Sequence, residues 1–124
     1  MILSSEKTGE VSVVFTGENS RTAEAVWAAL PVKGSANRWG DEVYFSVPVD
    51  VEEENGRVEV EMGSVAFWPL GHALCVFFGP TPVSLHGEPR AYSPVNVFAN
   101  VVGDAGVFRK VRDNDRVTLN RFKQ

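Results

Sequence analysis

A chain of 124 residues, 44% apolar and 23% charged, has material for one hydrophobic core, which excludes a disordered or fibrous chain and predicts a single domain over residues 1–124. A net charge of −4 argues against nucleic-acid binding, which needs an excess of Lys and Arg to neutralise phosphates. The lone cysteine, Cys75, cannot form an internal disulfide, and no apolar run approaches the roughly 20 residues that span a bilayer.

MILSSEKTGE, at the N-terminus, has too short an apolar core for a secretory signal and soon meets Glu6, so the cytoplasm is the expected location. Val11, Val13 and Phe15 alternate as an opening strand. A helix follows: Asn19 or Ser20 caps it, Ala23, Val26, Trp27 and Leu30 share one face, and Pro31 stops it. Gly40 and Asp41 then suit a two-residue type II′ hairpin, which predicts that Val32 to Trp39 pairs with Glu42 to Val49.

Val43, Phe45, Val47, Val49 and Val51 face one way from that second strand, while Glu42, Tyr44, Ser46 and Pro48 face the other. Pro48 places the strand at an edge or a bulge. Glu54, Asn55 and Gly56 form a turn into a strand from Arg57 to Met62, with Val58, Val60 and Met62 inward. The most apolar stretch, VAFWPLGHALCVFF from Val65, is split by a type I turn at Trp68-Pro69-Leu70-Gly71 into strands 65–68 and 73–78. The second half lacks alternation, which predicts burial on both faces.

Val95, Val97, Ala99 and Val101 alternate with Asn96, Phe98 and Asn100, a short helix or turn is predicted over 104–111, and Val117 to Phe122 closes the chain as a strand. Such a series of short strands with one or two helices predicts a mainly β fold, a closed β-barrel with helices over its openings. The acidic segment 50–61 carries six acids against Arg57, and 109–124 carries six bases against Asp113 and Asp115. Both are expected to be solvated faces, with partner docking by the acidic segment as the alternative.

The ordered segments NRWGDEVYFSVPV, GSVAFWPLGHALCVFFGPTP and SPVNVFANVVG resemble the small cyclophilin-like proteins of archaea and bacteria, over roughly residues 11–122. The resemblance implies a reduced cyclophilin-like β-barrel. A more distant similarity to the cyclophilin peptidyl-prolyl isomerases is confined to the second half, where CVFFGPTP stands in place of their Ser-Gln-Phe-Phe strand. It implies that Phe78 corresponds to an aromatic wall of their proline pocket, and that Arg38, in ANRW, corresponds to their catalytic arginine. Val76 stands where they carry a glutamine, and SLHGEPRAYSPV replaces their Trp-Leu-Asp-Gly-Lys-His loop.

One kind of site follows from the residues themselves and another from the resemblance. Trp39, Glu42 and Tyr44 cluster around the hairpin, and if the Val43 face fills the barrel, their face forms a groove with one carboxylate and two rings. With Phe78 and Asn96 as further candidates, this groove is expected to bind a peptide segment or a small ligand. Prolyl isomerisation, which must lower a barrier of roughly 18–20 kcal/mol, is the alternative, with Arg38 donating a hydrogen bond to the imide nitrogen. The sequence has no metal-ligand spacing around His72, His86 or Cys75 and no Gly-rich phosphate loop before a helix, so no cofactor, nucleic acid or membrane is expected. No feature of the sequence sets the oligomeric state.

Overall fold

The computed structural model describes residues 1–123 and is mainly β. The chain opens with β1 (Ile2–Ser5) and β2 (Gly9–Phe15), paired antiparallel so that Leu3 faces Val11. β1 was not foreseen because Ile2 to Ser5 is too short to show a period. It is held by its partners, with Leu119 of the last strand on its other side.

Helix α1 (Ser20–Ala29) buries Val26 against the core. Asn19 does stand at its N-cap, but in the left-handed region and without a side-chain capping bond. Its amide donates instead to the Val97 carbonyl at 2.7 Å. The orphan helix donors are met by a residue far along the chain: the Glu54 carboxylate accepts from the Thr22 N–H at 3.0 Å and the Arg21 N–H at 3.3 Å. At the other end, the Arg121 guanidinium donates to the Trp27 and Ala28 carbonyls. An anion at the N-terminus and a cation at the C-terminus both complement the helix dipole. Burial pushes the Glu54 carboxyl up, but hydrogen bonds from Thr22 and Arg21 outweigh it and hold it below the usual range.

After the helix come β3 (Val32–Ser35), β4 (Asn37–Arg38) and β5 (Glu42–Ser46). Only the two residues of β4 pair with β5 across the Gly40-Asp41 turn, Asn37 opposite Tyr44 and Arg38 opposite Val43. The predicted long hairpin is therefore cut at Ala36. β3 pairs with the final strand β10 (Arg116–Asn120), Val32 opposite Leu119.

The remaining strands are β6 (Arg57–Glu59), β7 (Ser64–Trp68), β8 (Ala73–Phe77) and β9 (Arg90–Val101), followed by a 3₁₀ helix at Ala105–Lys110. The sheet runs in the order β3-β10-β1-β2-β9-β7-β8-β5-β4, with β6 attached to β9. Met62 does not face inward as expected. It is exposed: β6 ends at Glu59, Val60 is still buried, and the alternation breaks at Met62.

The expected barrel is not closed by hydrogen bonds. Among the described residues, no ladder of hydrogen bonds joins β3 to β5 or β4, so the antiparallel sheet curls without closing. Its two ends meet through the chain itself at Ala36, whose N–H donates to the Asp115 carbonyl and whose carbonyl accepts from Asn114. Gly34 lies against the Phe45 ring, where an added Cβ would stand 3.0 Å from Cδ2. Side-chain packing fills the seam in place of a ladder. No helix among the described residues is long and apolar enough to cross a membrane.

Two cores lie on opposite faces of the sheet. The larger holds Val43, Phe45, Phe67, Leu74, Val76, Phe78 and Phe98, with α1 and the 3₁₀ helix packed over it. The smaller holds Val60, Ala66, Cys75, Phe77, Ala91, Val95 and Val97. β8 separates them, which is why its residues are buried on both faces, as its lack of alternation predicts.

Part of the acidic segment is engaged within the fold. Glu54 caps α1, Glu59 reaches Arg90 at 3.5 Å and Asp50 lies 3.6 Å from His72. Its fold around α1 depends on Asn96 of β9, which is completely buried.

Candidate functional site

A cavity of about 220 Å³ opens beside the smaller core. Trp39, Tyr44, Trp68 and Tyr92 bound it, with Glu42, Cys75, Ala91, Ser93 and Val95 completing its lining. β5 places Glu42 and Tyr44 on this face because Val43 and Phe45, between and after them, turn into the larger core.

Trp39 reaches the cavity through the hairpin. Trp39 and Glu42 exchange both backbone hydrogen bonds, at 3.0 and 3.2 Å, and close the turn. Gly40, at the first turn position, has φ of +59°, while Asp41 is not in the left-handed region, as a type II′ turn requires. A Cβ on Gly40 would stand 2.9 Å from both Pro82 Cδ and Thr81 Cα. Gly40→Ala is therefore expected to destabilise the fold by about 1–3 kcal/mol. In urea unfolding, a loss below about 0.5 kcal/mol would show that this turn relaxes without cost.

The four rings form a continuous series. Trp39 meets Tyr92 with centroids 6.2 Å apart at 80°, Tyr92 meets Trp68 at 6.3 Å and 76°, and Trp68 meets Tyr44 at 6.0 Å and 85°. Trp68 Nε1 donates to Ser93 Oγ at 2.6 Å, which fixes the indole plane.

Glu42 is the buried polar group of the site, 5% exposed. Burial pushes its carboxyl up to about 7, only partly offset by a hydrogen bond from the Cys75 thiol. Burial and the neighbouring Glu42 carboxylate push the Cys75 thiol up in turn. The thiol thus remains a donor, and Glu42 is poised to change charge near neutrality.

Three of the residues expected at a groove, Trp39, Glu42 and Tyr44, come together here, while Arg38, Phe78 and Asn96 lie elsewhere. Arg38 sits on the opposite face, and its guanidinium stacks 5.1 Å from the centre of the Phe78 ring. It donates to the carbonyls of Gly40, Arg109 and Val111 and pairs with Asp41 at 3.4 Å. Phe78 is fully buried against Phe108. The two residues aligned with the isomerase pocket are therefore adjacent, with the guanidinium over the buried ring. Asn96 lies between α1 and the 52–54 segment, bonded to Thr22 Oγ1, the Glu52 carbonyl and the Glu54 N–H.

Sequence reading missed Trp68, Tyr92, Ser93 and Cys75 as cavity residues. Trp68 carried a signal, since it alternates with Phe67 at the end of a strand. Tyr92 and Ser93 precede Pro94 and lie outside the alternation that marks the strand from Val95. β9 begins earlier, at Arg90, and carries the proline where its register against β6 shifts between Val95 and Arg90.

A family model described as Cyclophilin-like matches residues 2–120. Among solved structures, the solution structure of AF2241, a hypothetical protein from Archaeoglobus fulgidus, is 39% identical, with 98% of this chain and 92% of that chain covered at a TM-score of 0.81. McbB, solved in complex with tryptophan, is 16% identical at a TM-score of 0.75; 99% of this chain is covered but only 45% of McbB, a likeness of fold. No curated protein matches the chain. Since the family model spans all ten strands from β1 to β10, this chain belongs to the cyclophilin-like family.

Proposed function

We propose that this cyclophilin-like protein binds a small ligand, or a side chain of a peptide, in the cavity bounded by Trp39, Tyr44, Trp68 and Tyr92. The observation that carries this reading is an open, ring-lined space of about 220 Å³ with a buried carboxyl, Glu42, facing it. Apolar walls with a few placed polar groups are the usual make-up of a ligand site.

Prolyl isomerisation through Arg38 and Phe78 draws less support from the geometry. Arg38 is engaged by three carbonyls and Asp41, and Phe78 is buried beneath it.

The chain has three tryptophans, and Trp27 lies apart from the cavity, against Phe15 and Phe122. In a Trp27→Phe protein, the remaining fluorescence therefore comes from the two cavity tryptophans. Titration with a panel of aromatic compounds, organic cations and proline-containing peptides is expected to give a saturable change for at least one class. No response across the whole panel would refute binding at this cavity.

A further inference from the structure

We infer that the cavity is a site for an alkylammonium head group, with four aromatic rings as the walls of a cage and the Glu42 carboxylate as the counter-charge. This rests on the ligand-binding reading above and names the class of ligand.

The walls come first. Trp39, Tyr92, Trp68 and Tyr44 meet in sequence at 80°, 76° and 85°. All four rings line the one cavity, and each meets its neighbour edge to face rather than stacked. A compact cation between such walls is attracted by the negative π faces, and the contact strengthens as water is excluded.

The charge comes second. Glu42, Cys75, Tyr44 and Tyr92 are the titratable groups lining the cavity, and no Lys, Arg or His is among the lining residues. The nearest cations in sequence are committed elsewhere. Arg38 is turned to the opposite face onto backbone carbonyls, and Arg90 pairs with Glu88 at 2.9 Å and with Glu59 at 3.5 Å. Among the described residues, Glu42 forms no ion pair, and its side-chain partner is the Cys75 thiol, a weak donor. A buried carboxylate without a cation of its own is a group that a bound ammonium would satisfy.

Size comes third. Pockets for drug-sized ligands run roughly 300–1,000 Å³, and this one, at about 220 Å³, suits a head group. Tyr92, 73% exposed at the rim, leaves the mouth open for whatever carries it.

Protonation provides a signature. Burial holds the Glu42 carboxyl near 7, so the empty site is largely neutral in acid, and an ammonium must displace that proton to gain its counter-charge. The Cys75 thiol, pushed up by burial and by Glu42, stays protonated throughout. Affinity should therefore fall as pH drops below about 7.

The test uses the Trp27→Phe protein at pH 8 with choline, a short peptide containing trimethyllysine, and 3,3-dimethylbutan-1-ol, the uncharged isostere of choline. At least one cation is expected to bind roughly tenfold or more tightly than the isostere. That preference should shrink at pH 5.5 and in Glu42→Gln, where only the ring contribution remains, and Tyr92→Ala, an exposed rim variant, should also weaken the cation. Binding of choline points to a free amine and binding of the peptide to a chain-borne one; either supports the cage. Equal or tighter binding of the isostere, or unchanged cation affinity in Glu42→Gln, overturns it. If neutral aromatic compounds alone give a saturable response, the ammonium inference fails and ligand binding stands; silence toward every compound ends both.

Discussion

Asn96→Ala is expected to destabilise the protein by about 2–4 kcal/mol in urea unfolding, a larger effect than most polar substitutions produce. Asn96 is fully buried, and its side chain joins three parts of the molecule that are distant in sequence. Its oxygen accepts from the Glu54 N–H at 2.8 Å, and its amide donates to the Glu52 carbonyl at 2.9 Å and to Thr22 Oγ1 at 3.1 Å. Alanine would leave the Glu54 N–H and the Glu52 carbonyl without this partner, while Thr22 Oγ1 keeps its bond to the Glu54 carboxylate; a buried unsatisfied group costs about 1–3 kcal/mol, not fully additive within one network. The damage should spread to α1, because the loop that Asn96 anchors carries the Glu54 carboxylate that caps it. Asn100→Ala, on the same strand but exposed, serves as the control and should change stability by less than about 0.5 kcal/mol. Equal effects for the two asparagines would show that the network contributes nothing net.

Glu42→Gln is expected to stabilise the empty protein at pH 8 while leaving it nearly unchanged at pH 4. A carboxyl at 4.5 in the unfolded chain and about 7 in the fold binds more protons folded than unfolded between those values. Stability from this group therefore falls as pH rises through that window and is level above it. Each tenfold change in proton affinity is worth about 1.4 kcal/mol, so the full displacement corresponds to roughly 3 kcal/mol. Acids such as Glu88, drawn down to about 2 chiefly by its hydrogen bond from Arg90, act in the opposite sense at lower pH. The informative quantity is accordingly the difference between native protein and variant. Urea unfolding at steps from pH 4 to pH 8 should show a difference that grows toward pH 8. A difference independent of pH would mean that Glu42 titrates as a solvated carboxyl.

The two variants act on opposite faces of one sheet. Asn96 secures the helix and loop that cover the larger core, whereas Glu42 introduces strain into the smaller one beside the cavity. A chain that buries an acid without a cation gives up stability to keep that carboxyl where it is. Such expense at an open cavity fits a site better than a purely structural strand.

Local rules made several elements legible from the residues alone. Alternation from Val43 to Phe45 told which face of β5 is apolar, and so put Glu42 and Tyr44 together on the other. Gly40-Asp41 marked a two-residue turn, Pro31 marked the end of α1, and the unalternating Ala73 to Phe78 announced burial on two sides. Each depends on neighbours within a few residues, where strand period, turn geometry and helix stops operate. Family membership was legible too, in the order of three segments spread along the chain.

Contacts between distant residues decided the rest. Nothing in VKGSANRW says that the chain changes partners at Ala36, since β10 competes for Val32 to Ser35 from more than eighty residues away and wins. Asn19 had the chemistry of a cap, yet Glu54 took the task and Asn19 turned to Val97. The openness of the sheet, the depth of Glu42 and the closing of the aromatic series by Trp68 and Tyr92 likewise arise only when strands are laid side by side. Period and propensity encode which way a side chain points from its own backbone, and only the packed fold determines what stands opposite it.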